Sequence, residues 1–295
     1  MGDETGAAQD CVWEVDGLRL AGRIWGPADG TPVLALHGWM DHADSFQEVA
    51  PRLAGCRVVA LDLSGQGLSD HRAAHATYNI WDDLPQIAEL LDLLGWQDCV
   101  LLGHSRGANI AGLFAAAQPD RVRALISLDS LVPEPDPDET IVTTLSAFIE
   151  QTRKQKARPP RLFPSSEAYI ERRTAQGNAR RTSEALAARA LEPHPEGVRM
   201  RGDPRLFARS AVKLKQADVE AVMRAWRCPV LNIWATEGIK SKRPAVAQLA
   251  ARAEALVARY ETADIAGDHH FHLDPGAAAE IAEAVHAFLD RHGCR

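Results

Sequence analysis

The stretch Val100-Leu101-Leu102-Gly103-His104-Ser105-Arg106-Gly107 decides how the rest of the chain is read. An apolar run over residues 99–102 enters a Gly-x-Ser-x-Gly turn, and an alanine-rich helical pattern (Ala108, Ile110, Ala111, Leu113, Phe114, Ala115) leaves it. A strand feeding a helix through so tight a turn lifts a serine clear of a sheet edge, with the helix N-terminus beneath it. Glycines at 103 and 107 leave room for the backbone on either side. Ser105 is therefore the candidate nucleophile; an ordinary strand–helix turn is the alternative.

Outward from this turn, strand and helix patterns alternate. Two short strand patterns, 11–15 and 18–25, meet at Asp16-Gly17, a hairpin signal. The apolar run 32–36 suits a strand covered on both faces and ends in His37-Gly38-Trp39. Ser45 is expected to cap a helix carrying Phe46, Val49 and Leu53. A strand over 57–63 leads into the loop Ser64-Gly65-Gln66-Gly67-Leu68-Ser69, and an amphipathic helix is expected over 78–94, where Pro85 predicts a kink or a late start. Another apolar strand follows over 122–128.

The rhythm then breaks. Residues 133–227 carry no strong strand pattern. Pro133, Pro135 and Pro137 punctuate the start, and helical patterns follow over 140–155, 165–176, 182–190 and 216–225. Alternation returns with a strand over 229–234, a helix over 244–257, a short strand near 258–261 and a last helix over 276–291. The expected architecture is α/β, a mostly parallel sheet with helices on both faces. Its core comprises residues 1–132 and 228–295, and residues 133–227 form a helical cap inserted between two core strands. In such sheets ligands bind outside the carboxyl ends of the strands.

Bulk properties narrow the partners. The net charge is −7 and there is no basic run, which argues against nucleic acid and anionic membrane surfaces. The Arg/Lys-rich stretch 153–161 reads as a solvated face. Five cysteines lie far apart without metal-type spacing and suit free thiols in a reducing compartment. The first ten residues lack the basic and apolar regions of a signal peptide, and no apolar run of about 18 residues is present. A cytoplasmic location is expected. A small-molecule acyl substrate is the expected partner, and a homodimer stays open.

A serine hydroxyl needs a base. Ala266-Gly267-Asp268-His269-His270-Phe271-His272-Leu273-Asp274 offers three histidines after the last strand. The Gly-x-His pattern favours His269, with His270 as the alternative and His272 packing behind the loop. No further ligand-spaced set accompanies them, so neither a metal nor a cofactor is expected. An oxyanion hole needs two backbone N–H groups, here those of Trp39 and Arg106. The Arg106 side chain is expected either to abut the site or to pair with Asp62 or Asp129. The acid that orients the base has two candidates. Asp129 closes the strand over 122–128, whereas Glu237 follows the strand over 229–234 but stands one position before the usual place, nearer Gly238.

With these residues in hand the chain resembles the α/β-hydrolase superfamily, and within it the serine-hydrolase-like proteins. The likeness rests on Leu36-His37-Gly38-Trp39-Met40-Asp41-His42-Ala43-Asp44-Ser45-Phe46, on Ala60-Leu61-Asp62-Leu63-Ser64-Gly65-Gln66-Gly67-Leu68-Ser69 and on Gly103-His104-Ser105-Arg106-Gly107. Arg201-Gly202-Asp203-Pro204-Arg205 and Arg227-Cys228-Pro229-Val230-Leu231 extend it over residues 12–289. The resemblance implies an α/β-hydrolase fold and, since these relatives tend to lack the late carboxylate, strengthens Asp129. The chain departs at Arg106, where methionine or a similar residue is usual, and at Ala108, where glycine is usual. The leading expectation is a serine hydrolase that cleaves a carboxylic ester through an acyl-enzyme. The alternatives are a carbon–carbon bond hydrolase of a diketone-like substrate and a non-catalytic ligand-binding member of the fold, which would have no need of Ser105 and His269. A dehalogenase is disfavoured by a serine where that chemistry uses a carboxylate.

Overall fold

A computed structural model describes residues 8–135 and 140–295; most of the N-terminal decapeptide and Pro137 lie outside them. The chain opens with β1 (Gln9–Val15) and β2 (Leu18–Trp25), then β3 (Thr31–Leu36), β4 (Cys56–Leu61), α1 (Asp83–Leu93), β5 (Cys99–His104), α2 (Arg106–Ala117) and β6 (Val122–Leu128). The inserted segment contains α3 (Ile141–Lys156), β7 (Leu162–Phe163), α4 (Ser166–Ala175), α5 (Arg180–Ala190), β8 (Leu191–His194), β9 (Gly197–Met200) and α6 (Gln216–Ala225). The chain closes with β10 (Val230–Ala235), α7 (Ile239–Lys242), α8 (Pro244–Leu256), β11 (Tyr260–Ile265) and α9 (Pro275–Arg291).

Eight strands form one sheet in the order β1-β2-β4-β3-β5-β6-β10-β11. From β4 to β11 every neighbouring pair is parallel, and the β1–β2 hairpin joins antiparallel. The central strands are apolar throughout because both faces are covered. Alternate residues serve the two sides. Leu34, Leu36, Leu101 and Leu125 pack with Ile87, Phe114, Met223 and Leu249 of α1, α2, α6 and α8. Val33, Ala35, Val100, Leu102 and Ile126 pack with Ile281, Val285 and Phe288 of α9. A one-residue slip in any central strand would exchange these two sets.

Some local expectations change. Asp16 and Gly17 adopt φ of 53° and 69°, as a two-residue hairpin requires. Pro85 sits in the first turn of α1, preceded by a 3₁₀ turn over Ile80–Asp82, so this helix starts late. Ser45 caps no helix. The segment forms 3₁₀ turns at Ala43–Phe46 and Ala50–Arg52, and the Ser45 hydroxyl bonds His272 instead. The final strand is longer than its pattern and lies at Tyr260–Ile265.

The inserted segment is not purely helical. β7, β9 and β8 form a small antiparallel sheet over a separate cluster of Phe163, Tyr169, Ile170, Ala187, Ala190 and Leu191. Strands of two to four residues, with Pro193 and the Glu192–Arg199 ion pair among them, are too short to show alternation. The segment meets the carboxyl-end loops of β3 and β4: Trp39 Nε1 donates to the Leu206 carbonyl at 3.1 Å, and the Asp203 N–H to the Gly65 carbonyl at 2.9 Å. Helix α6 differs. It packs on α2 and α8, and its Val219 and Met223 are part of the main core. No helix among the described residues is long and apolar enough to cross a membrane.

Candidate active site

Five strand ends converge at one edge of the sheet. Between β5 and α2, Ser105 holds φ 52° and ψ −118°, a region that costs a non-glycine residue about 1–3 kcal/mol. Its N–H is tied to the Leu128 carbonyl at 3.1 Å. The turn closes only because its glycines have no side chain. A Cβ on Gly107 would lie 1.9 Å from the Leu36 carbonyl oxygen, and one on Gly103 would lie 2.4 Å from Ala108 Cα.

His269 follows β11, in the loop that Gly267 opens at φ 136°. Its Nε2 lies 3.0 Å from Ser105 Oγ and its Nδ1 lies 2.6 Å from Asp129 Oδ2. The hydrogen-bond network sets the tautomer: Nδ1–H donates to the carboxylate, leaving the Nε2 lone pair for the serine proton. Asp129 is fully buried at the end of β6, itself at φ 44°. Its carboxylate also accepts the N–H groups of Ile239 at 2.9 Å and Ala235 at 3.3 Å. Glu237 is not brought in and is exposed. The residue beside it explains the arrangement, for a Cβ on Gly238 would lie 2.2 Å from Asp129 Oδ1. The Asp129 carboxylate fills the room that a side chain at 238 would take.

The Trp39 side chain stacks edge-on against Phe207, with ring centroids 4.8 Å apart, which leaves its backbone in the loop beside Ser105. Arg106 opens α2, so its N–H is one of those a helix leaves without an intrahelical partner. Its guanidinium pairs with neither Asp62 nor Asp129. Nη2 donates to Asp83 Oδ2 at 2.9 Å, because α1 begins beside the start of α2. Burial pushes the Asp83 carboxyl up, and Arg106 and Arg72 pull against that rise. Asp62 is taken instead by Arg189 and by the N–H groups of Ala43 and Leu68.

His270 does not reach Ser105. Its Nε2 lies 3.2 Å from Asp41 Oδ2, and Asp41 is buried. Burial pushes the Asp41 carboxyl up, but His270, Arg173 and His104 more than offset this and hold it well below the usual carboxylate range. His104 Nε2 donates to the His269 carbonyl at 2.8 Å, so the residue before the serine also steadies the loop of His269. Burial and three neighbouring histidines keep His104 neutral. His272 is fully buried, with Nε2 2.8 Å from Ser45 Oγ, and packs behind the loop as expected. Among the described residues, Asp41, His104 and His270 form the one group whose ligating atoms all lie within 4.8 Å. His270 already occupies one Asp41 oxygen, and the Arg173 cation stands 3.7 Å from the other, where a metal ion would have to compete with it.

Two cavities reach Ser105 and His269. One, of about 170 Å³, has an apolar wall of Leu131, Val132, Trp234, Val246 and Leu249 and a polar side with Asn109, Ser130, Glu134 and Arg243. The other, of about 260 Å³, is polar and includes Gly38, Trp39, Asp41, Arg173, Gln176 and Asn178. Sequence reasoning missed Asp41, His104 and Arg173. Asp41 and His104 stand beside motifs already singled out; Arg173 carries no local signal.

Residues 31–275 match the model of the alpha/beta hydrolase fold family. A serine hydrolase-like protein of Dictyostelium discoideum is 30% identical over 281 residues, covering 89% of this chain and 76% of that protein. Human serine hydrolase-like protein 2 is 26% identical, with 92% and 90% covered. Among solved structures, a hypothetical protein from Pseudomonas aeruginosa PAO1 superposes with a TM-score of 0.90 at 34% identity, over 96% of this chain and 99% of that one. A thioesterase domain from the curacin biosynthetic pathway follows at 0.81 and 26%, over 95% and 99%. With its sheet order, its serine turn and a family match spanning most of its length, the chain belongs to the α/β hydrolases and counts serine hydrolase-like proteins among its relatives.

Proposed function

We propose that the protein is a serine hydrolase that cleaves a carboxylic ester through an acyl-enzyme. The observation that carries this reading is the unbroken series from Asp129 Oδ2 through the His269 ring to Ser105 Oγ, at 2.6 and 3.0 Å. Ser105 Oγ attacks the ester carbonyl while His269 Nε2 takes its proton. The Trp39 and Arg106 N–H groups receive the oxyanion, each such donor being worth about 10²–10³ in rate. The intermediate collapses, and His269 returns the proton to the departing alkoxide. Water then attacks the acyl-enzyme, its proton passing to His269 and on to Ser105 as the acid leaves. Asp129 keeps the imidazole in the working tautomer and stabilises its charged form.

The inserted segment, α6 apart, acts as the cap in this reading, since it supplies Arg173, Gln176 and Asn178 to the polar cavity. The test is covalent labelling with a fluorophosphonate, beside turnover of p-nitrophenyl esters from acetate to long acyl chains. Labelling of Ser105, its loss in Ser105→Ala and measurable ester turnover are expected. Equal labelling of the Ser105→Ala protein would overturn the assignment.

A further inference from the structure

We infer that Arg173 receives a carboxylate carried by the substrate, in the polar cavity beside Ser105. This rests on the ester-hydrolase reading only in assigning that carboxylate to a substrate.

Arg173 faces the Asp41 charge but leaves most of its hydrogen-bond donors unused. A guanidinium offers five N–H donors in a planar fork and stays charged. Three other largely enclosed arginines, Arg189, Arg205 and Arg72, use several of theirs. Arg189 bonds Asp10 and Asp62, and Arg205 bonds Asp203 and three backbone carbonyls. Arg72 bonds Ser64 Oγ and the Asp82 carbonyl. Arg106 also leaves its Nε without a partner, but it is matched by a close charge-assisted bond to Asp83 at 2.9 Å. The Arg173 side chain is just as enclosed, 14% exposed, yet its one hydrogen bond runs from Nη1 to Tyr169 Oη at 3.3 Å. Its Nε is buried without a partner. Asp41 Oδ1, the carboxylate oxygen beside it, lies 3.7 Å from Nη2 and is itself without a hydrogen bond. That distance is beyond hydrogen-bond reach.

The guanidinium is nevertheless held in place. It lies 5.9 Å from the centre of the buried Tyr169 ring. The Asn178 side chain donates to the Arg173 carbonyl at 3.0 Å and fixes the end of α4. A preorganised, under-used fork in a cavity shared with the nucleophile suits bidentate capture of a carboxylate. Asp41 opposes such a ligand, but at greater range. A carboxylate hydrogen-bonded to the fork would stand closer to the cation than Asp41 Oδ1 does at 3.7 Å, so the fork favours it. In the second cavity leucine, valine and tryptophan form an apolar wall, and its cation, Arg243, is already paired with Glu134. The substrate class that fits both is an ester with a carboxylate a few atoms from the scissile carbonyl on one side and an apolar group on the other.

A ligand-observed NMR titration of the Ser105→Ala protein tests this without turnover. Monomethyl succinate and methyl butyrate share a four-carbon acyl chain and differ by a terminal carboxylate. The succinate ester is expected to bind about 10-fold more tightly, as a charge-assisted hydrogen bond implies, and the margin should shrink with added salt. Arg173→Gln should bring the ratio to about one, and Arg173→Lys should keep part of it. A ratio near one with Arg173 intact overturns the inference, as does a ratio that Arg173→Gln leaves unchanged. Failure of the hydrolase reading shows separately, as absent fluorophosphonate labelling of Ser105 in the unsubstituted protein.

Discussion

His269 and His270 are consecutive, and each faces a buried aspartate, yet the two pairs have different surroundings. The Asp129–His269 pair is short, 2.6 Å, and the far nitrogen of its ring lies 3.0 Å from a serine hydroxyl. The Asp41–His270 pair is longer, 3.2 Å, and its neighbours are other histidines and Arg173 rather than a serine hydroxyl. What separates them is the third partner. A carboxylate fixes a tautomer in either pair, but a base also needs a hydroxyl at its free nitrogen. On the Asp41 side the same residue types bind the base loop to the loop after β3.

The sharpest way to break this comparison is to remove one charge from each pair. Asp129→Asn should lower kcat by about 10⁴, the cost of losing the tautomer-fixing charge elsewhere. Asp41→Asn should cost far less in kcat, and Glu237→Gln, an exposed change, should leave turnover near that of the parent. Steady-state kinetics on a p-nitrophenyl ester measure all three. A larger loss in Asp41→Asn than in Asp129→Asn would reverse the assignment.

The legible half of the site is the half built on strand ends. Ser105 and Asp129 each stand within three residues of an apolar run, so their place at one sheet edge follows from the alternation, while His269 shows through its Gly-x-His pattern after a strand, Tyr260–Ile265, that is too polar to stand out. Arg106 was visible as a charge, but its partner Asp83 lies 23 residues upstream on another helix, a pairing no local pattern encodes. Asp41 was quoted within a motif yet its 229-residue contact with His270 depends on how two loops meet. The small sheet escaped because its strands, of two to four residues, span at most two periods of strand alternation. Arg173 shows itself only when the donors of each buried arginine are counted.

A second prediction sharpens the contrast through pH. His37, close to Asp41, donates from Nδ1 to the Gly38 carbonyl and accepts the Leu63 N–H at Nε2, so the folded state needs it neutral. Burial pushes its imidazole down from 6.5 to about 4. Above pH 6.5 it is neutral in both states and its contribution is fully present. As pH falls from 6.5 toward 4, the unfolded chain takes up a proton that the folded protein refuses, and stability is lost. A gap of about 2.5 pH units at about 1.4 kcal/mol each amounts to about 3 kcal/mol, a few hundred-fold in the folding equilibrium. Burial lowers His104 and His272 as well, so they act in the same direction. Thermal melts should show Tm falling over this interval, and His37→Gln should flatten that slope. A melting temperature independent of pH there would show that the histidines around Asp41 do not couple to folding.

The smallest expected effect tests the Asp129 side through space rather than charge. Gly238 has an ordinary φ of −82°, so alanine meets no left-handed backbone there. Its Cβ would nonetheless lie 2.2 and 2.3 Å from the two Asp129 carboxylate oxygens, a separation that forces the carboxylate to move. That carboxylate is pinned by the Ile239 N–H at 2.9 Å and holds His269 at 2.6 Å, so the displacement passes to the base. A misplacement of about 1 Å costs about 10² in rate. Gly238→Ala should therefore lower kcat by about that factor, with KM little changed and fluorophosphonate labelling of Ser105 slowed in proportion. The Asp41–His270 pair does not touch residue 238, so the pH dependence of Tm should stay as in the parent. Parental turnover in Gly238→Ala would mean that the base tolerates a displaced carboxylate, and the distinction between the two aspartate–histidine pairs would then rest on the serine alone.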